Sequence, residues 1–249
     1  MRRLTLSLLV LFSLLPAGAA FAVSDSTVII PIIGRFNGVA PSVWRTDVFI
    51  GTRGFAPDLT MTFHPAGGGA PIVRNLTLAD YSTLEFPDIL LNTFGMTSGS
   101  GMLVIKTDGG RIEARARIYN VGSAAGEFGQ AAPGRGLGTL TREAFMWGLS
   151  GIGGNRVNIG VANPNDTATT FTIYVADRDN NLLYRQDTIP IAAHQVIQYN
   201  DIFGTFGIAP REGVQVVIFT PEAKIYGYAS QVRNDTGDAI FIAGTNPNN

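Results

Sequence analysis

The chain of 249 residues contains no cysteine. That excludes disulfide stapling and also lipid anchorage through an acylated cysteine. Histidine is nearly absent too, with His64 and His194 the only two. Two histidines without cysteine fall short of a zinc set. No G-x-S-x-G elbow is present to present a serine nucleophile. Charge is sparse and balanced, at 15% of residues and a formal net charge of −1. Such a balance gives no electrostatic reason to expect nucleic acid or an anionic membrane as partner. Beyond the first fifteen residues, no apolar run approaches the roughly 20 residues that a spanning helix needs. Long segments of helical period are missing as well.

What is present begins with an export signal. Arg2 and Arg3 precede an apolar run of 12 residues, Leu4–Leu15, broken by Pro16 and Gly18. Ala20-Phe21-Ala22 supplies the small residues that a signal peptidase requires, so residues 1–22 read as a signal peptide cleaved after Ala22. The mature chain then carries 16 basic and 19 acidic residues. It is expected to be secreted or periplasmic, with no membrane insertion after cleavage. Without disulfides it must be stabilised by burial alone, which units of about 110 residues can achieve.

Along the mature chain the dominant period is two. Thr46–Ile50, Leu59–Phe63, Ile72–Leu78, Met102–Ile105 and Ile112–Ile118 are short runs rich in β-branched and aromatic residues. Glycine, proline, asparagine and aspartate cluster between them. In the last of these runs Ile112, Ala114, Ala116 and Ile118 share one face, and Arg111, Glu113, Arg115 and Arg117 the other. That is the pattern of a half-buried antiparallel strand. Val157–Val161, Phe171–Val175, Leu182–Tyr184, Ile189–Ile191, Val214–Phe219 and Lys224–Val232 repeat the rhythm. Many short strands at this spacing predict β-sandwiches.

The rhythm also repeats in register. Arg45-Thr46-Asp47-Val48 matches Arg156-Val157-Asn158-Ile159, and Leu59, Met61 and Phe63 match Phe171, Ile173 and Val175. Further along, Gly101 matches Gly213, while Ile112 and Ala116 match Ile225 and Ala229. The slips between these matches fall in loops, as tandem duplication leaves them. The expected organisation is therefore a first sandwich over 23–132, a glycine-broken linker over 133–141, a second sandwich over 142–244 and a polar tail over 245–249. Some hinge freedom or a modest interface is expected between the two.

One stretch in each copy departs from the β rhythm: FPDILLNTFGM at Phe86–Met96 and YNDIFGTFGI at Tyr199–Ile208. Ile202, Phe203 and Phe206 share one face of a short helix. Asn200 or Asp201 suits an N-cap, with Asp88 as the equivalent cap and Pro87 at the first helical position. Gly95 and Gly207 suit the left-handed stop. Each reads as a crossover from one sheet to the other, so the fold class is all-β: two tandem immunoglobulin-like Greek-key β-sandwiches, each with one short crossover helix.

These segments resemble a widespread type of bacterial secreted tandem-repeat protein with immunoglobulin-like β-sandwich domains. The matching stretches are Arg45-Thr46-Asp47-Val48, Val161-Ala162-Asn163-Pro164, Tyr174-Val175-Ala176-Asp177, both Asp-Ile landmarks, and Tyr228–Asp238. The first copy departs from the pattern with Thr52-Arg53 where the second has Asn163-Pro164. The resemblance implies fold and export. Its motifs are turns, caps and core positions, and it transfers no site.

Candidate chemistry is thin. Asp177-Arg178-Asp179-Asn180-Asn181 opens like a calcium loop, but Leu182 and Thr188 stand where that loop needs glycine and glutamate, so a hairpin turn is expected. The glycine runs Gly67–Gly69 and Gly151–Gly154 lack the lysine of a phosphate loop. No catalytic, cofactor-binding or metal-binding residue is expected, and no cofactor. One difference between copies bears on binding. Where the first copy exposes arginines, the second places Tyr226, Tyr228 and Ser230. Two adjacent tyrosines on an outer sheet face suit stacking on a sugar ring or a partner surface; alternatively they pack against the linker, the other copy or an adjacent strand. The expected function is that of an exported non-catalytic structural or interaction protein of the bacterial envelope or extracellular space, not an enzyme. Its partner is a protein or polysaccharide at the cell surface. The alternative is a carbohydrate-binding module using a tyrosine face in the second repeat.

Overall fold

The computed structural model describes residues 25–38, 40, 42–53, 58–124 and 126–246. The expected signal peptide, residues 1–22, and the end of the tail, 247–249, lie outside the described residues. The protein is an all-β sandwich fold with several antiparallel sheets.

In the first half the strands are β1 (Thr27–Asn37), β2 (Val43–Arg53), β3 (Asp58–Pro65), β4 (Ile72–Thr77) and β5 (Thr83–Phe86). A short helix α1 (Ile89–Asn92) follows, then β6 (Gly99–Thr107), β7 (Arg111–Asn120), β8 (Phe128–Pro133) and the two-residue β9 (Arg135–Gly136). One layer runs β4-β3-β6-β1 and the other β5-β2-β7-β8. The end of β1 bends across to pair Phe36 with Trp44 on β2, joining the two layers at that edge. In the second half come β10 (Glu143–Leu149), β11 (Asn155–Ala162), β12 (Thr169–Ala176), β13 (Leu182–Ile191), β14 (Val196–Tyr199), α2 (Ile202–Phe206), β15 (Val214–Phe219), β16 (Tyr226–Arg233) and β17 (Ala239–Ala243). Their layers run β13-β12-β15-β10 and β14-β11-β16-β17. Element for element, this is the order of the first half.

Alternation places the core. On β7, Ile112, Ala114, Ala116 and Ile118 are buried while Arg111, Arg115 and Arg117 are exposed, as a period of two demands. They meet Val48 and Ile50 from β2 and Leu59, Met61 and Phe63 from β3, so one apolar layer lies between the two sheets. The second half builds the equivalent layer from Val157, Ile159, Phe171, Ile173, Val216 and Ala229. The two runs expected at Leu182–Tyr184 and Ile189–Ile191 are one strand, β13, whose register slips near Thr188, a residue of positive φ (53°).

Both helices carry the chain from one sheet to the other, α1 between β5 and β6 and α2 between β14 and β15. They bury Ile89 and Leu90, and Ile202 and Phe203, against the core. Gly207 stops α2 in the left-handed region at φ 67°, and the amide of Ile208 donates to the carbonyl of Phe203 at 2.9 Å. The starts of the helices differ from expectation. Asp88 and Asp201 precede the first helical residues but have φ values of 39° and 45° and make no side-chain cap. Their own amides are tied down instead. Asp88 N–H donates to Asp47 Oδ1 at 2.9 Å, and Asp201 N–H to Asn158 Oδ1 at 3.0 Å. The neighbouring strand thus holds the turn, and neither carboxylate caps its helix, although Asp201 Oδ2 lies against Gly204 of α2. Pro87 stands before the cap rather than at the first helical position.

Residues 133–141 are not a free connector. Arg135 and Gly136 pair with Ile29 and Val28 of β1, Leu137–Thr139 forms a 3-10 turn, and Leu140 is buried. A glycine-rich sequence gives no hint of this, because the pairing is supplied by the exposed edge of β1. The tail is anchored as well, Thr245 and Phe145 exchanging backbone hydrogen bonds of 2.7 and 3.0 Å.

Candidate functional site

The outward face of β16 lies at the centre of the contact between the two halves. As the strand's register requires, Ile225 and Ala229 point into the second core, and Tyr226, Tyr228 and Ser230 take the other face. That face is not solvent-exposed. Tyr226 and Tyr228 are each 1% accessible, and they pack with Ile29, Met102 and Val104 of the first half and with Leu140, Ala162 and Val196. The idea of an open tyrosine face is therefore corrected: β1, β6 and the 133–141 segment cover it. Each hydroxyl has a partner. Tyr226 donates to the Pro133 carbonyl at 2.6 Å and Tyr228 to Gln198 Oε1 at 2.9 Å. Ser230 donates to Gln130 Oε1, across the halves, at 2.9 Å. Burial pushes both phenols above their usual range, the Arg135 guanidinium 5.2 Å over the Tyr226 ring acting against it. Tyr228 can lie flat across β11 only because Gly160 is opposite; a Cβ there would meet the ring at 2.1 Å.

Beside this seam opens a cleft of about 360 Å³, to which both halves contribute walls. Ile32, Phe36 and Trp44 form its apolar side in the first half. Arg156, Asn158, Gln198, Asn200 and Asp201 line it from the second. Most of its polar groups satisfy one another: Gln198 Nε2 donates to Asn200 Oδ1 at 2.8 Å, and Asn158 holds the Asp201 amide. Two charged groups, Arg156 and Asp201, keep unused capacity among the described residues. Among the described residues Arg156 donates one N–H, to Asn234 Oδ1 at 2.6 Å. Burial draws its guanidinium below the usual value, with Asp201 acting in the opposite sense. The Asp201 carboxylate makes no helix cap, and no ion-pair contact joins it to Arg156 among the described residues.

The first half shows the same two positions closed. There Arg45, the counterpart of Arg156, meets Asp88, the counterpart of Asp201, at 3.5 Å, and Arg35 adds a second contact of 3.0 Å. The equivalence of the two arginines and the two aspartates is legible in the sequence. That one pair is shut and the other open is not, since it depends on what packs beside each.

The two histidines also meet, although they come from non-equivalent places in the two copies. The rings of His64 on β3 and His194 before β14 stack at 4.3 Å between centroids and 19° between planes. His194 Nε2 lies 2.9 Å from Asp166 Oδ1. Burial, aided by His194 and Lys106 and opposed by Asp166, lowers His64 to about 4. The rings face each other instead of directing nitrogens to a common point, and no cluster of metal-ligating side chains occurs among the described residues. The Asp177 loop is the expected hairpin turn: Asp177 Oδ1 accepts from the amides of Asp179 and Asn181 at 3.0 and 2.9 Å, and Asn180 takes φ 64°. Those bonds, with one from the Asn181 side chain, hold the Asp177 carboxyl below its usual range.

No family model matches the chain, and no curated protein does. Among solved structures, a Thermotoga maritima protein, 1070, is similar at 12% identity and a TM-score of 0.37, over 44% of this chain and 92% of that one. A biofilm-associated protein, BSP domain, shares 9% identity at a TM-score of 0.22, over 88% of this chain; the match spans 58% of that protein's length. A Parabacteroides distasonis protein described as secreted shares 9% identity at a TM-score of 0.22, over 91% of this chain and 82% of its own. At these scores the likenesses carry nothing about function. No helix among the described residues is long and apolar enough to cross a membrane.

Proposed function

We propose that the protein is an exported, non-catalytic interaction module of the bacterial envelope or extracellular space, built as two tandem immunoglobulin-like sandwiches clamped into one rigid body. The observation that carries this reading is the buried seam. Eight apolar residues, among them Tyr226 and Tyr228, are sequestered between the halves, and every tyrosine hydroxyl in the seam has a partner. The strands form a scaffold, and the surfaces between and beside the copies offer the contacts. The matching strand order of the halves supports a duplication, and the matching polar anchors support it further: Asp47 and Asn158 tie down the two crossover turns. Thr52 and Asn163 likewise each bind a carbonyl of the loop beside their strand end, at Ala79 and Ala192.

Export is tested by fractionating cells of the native host and sequencing the recovered chain from its N-terminus. The expected product lies outside the cytoplasmic membrane and begins at Val23. A chain retained in the cytoplasm with residues 1–22 intact overturns the reading.

A further inference from the structure

We propose that the cleft between the halves is a binding site for a neutral carbohydrate, a single pyranose or the end of a short glycan, held by Arg156 and Asp201. The inference rests on the reading of the chain as a binding module and supplies its ligand class.

Four features of the cleft lead to it. Its volume, about 360 Å³, falls in the range of small-molecule sites, roughly 300–1,000 Å³. Among the described residues its only charged lining groups are Arg156 and Asp201, one of each sign, so a ligand without charge leaves the site balanced. The guanidinium has N–H donors left over and the carboxylate has acceptor positions left over. A pair of neighbouring hydroxyls answers both, each accepting from arginine and donating to aspartate, through charge-assisted hydrogen bonds. Finally, Phe36 and the small accessible part of the otherwise buried Trp44 give the cleft an aromatic wall, suited to the C–H face of a sugar ring.

The first half acts as an internal control. In it the equivalent ion pair is closed by direct contact through Asp88 Oδ2 and supplemented by Arg35, and the remaining oxygen, Asp88 Oδ1, is buried away from any ligand. The second half keeps both charged groups and the anchoring bond to its turn but holds the pair apart beside a cavity. The open pair therefore leaves donor and acceptor positions facing the cavity for a ligand to use. This places the sugar site away from Tyr226 and Tyr228, whose rings are committed to the seam, although Tyr228 forms part of the cleft's floor.

The test is titration of the mature chain with methyl glucoside, methyl galactoside, methyl mannoside and N-acetylglucosamine, followed by NMR. Glucuronate serves as the charged comparison. The expected result is saturable shifts of the Trp44 indole N–H and the Arg156 Nε–H with at least one neutral probe, and weaker binding of glucuronate than of the glucoside, since its carboxylate meets Asp201. Asp201→Asn suits the positive φ of this position and preserves the fold, and it is expected to weaken binding tenfold or more. Arg156→Gln is expected to do the same. No saturable shift with any neutral probe overturns the inference. So does affinity unchanged in both variants, or tighter binding of glucuronate, which would indicate an anion site. Failure here leaves export and the clamped scaffold standing, because those are read from the mature N-terminus and from unfolding.

Discussion

Asp47 and Asn158 occupy equivalent places and perform the same task with different side chains: each accepts the amide of the residue that opens a crossover helix. A side chain that satisfies a buried amide is worth more than its own hydrogen bond, because its removal leaves the donor unpaired. Asn158→Ala is therefore expected to cost about 1–3 kcal/mol in urea unfolding. Asp201→Ala acts by another route, through an unfavourable left-handed φ rather than a lost cap. The sequence shows an acidic residue before an apolar turn, which is a cap signature, but it does not show the sign of φ. That sign is set by the neighbouring strand. His64 is also a residue-scale case. Ordinary histidine titrates near 6.5, whereas burial beside His194 and Lys106 brings His64 to about 4, Asp166 opposing. Between those values the unfolded chain binds a proton that the folded chain does not, so stability falls as pH drops from 6.5 towards 4. After allowance for solvent around a half-buried ring, the loss is on the order of 1–2 kcal/mol. Melting curves across this range should show it, and His64→Phe, which keeps the stack without the charge, should flatten it. The meeting of the two histidines was not legible in the sequence, since their places in the two copies do not correspond.

At the scale of elements, strands were legible because alternation reports which face is buried, and β7 follows the pattern residue by residue. The helices were legible from their apolar faces and glycine stops. Phe203 sits with Ile202 at the core end of α2, and Phe203→Ala is expected to cost about 3–5 kcal/mol, as the loss of a buried aromatic does. The facing of β16 was legible too, but not what covers it, because register says which side a residue takes and nothing about the neighbour on that side. Gly160 records that neighbour indirectly. Gly160→Ala is expected to destabilise by about 1–3 kcal/mol through collision with the Tyr228 ring that lies over this buried strand position. A thermal melt of the variant, compared with a Tyr228→Phe background in which the ring remains, should show the same penalty in both.

At the scale of the molecule, a rhythm that recurs along the chain was legible, and the two halves share a strand order, while the packing of one half on the other was not legible. The expected linker forms part of the seam: Arg135 and Gly136 extend a sheet of the first half, and Leu140 enters the apolar layer shared with the second. Under the proposed clamped scaffold, the seam holds Trp44 relative to Arg156 and so gives the proposed sugar site a constant shape, whereas a hinge would leave the cleft's walls to move independently. The most direct test of the clamped scaffold is calorimetric unfolding of the mature chain and of the Tyr226→Ala/Tyr228→Ala variant. If the seam couples the halves, the native chain unfolds in one cooperative transition, and the variant separates into two with the second half melting first. Two transitions in the native chain, unmoved by the paired substitution, would contradict it.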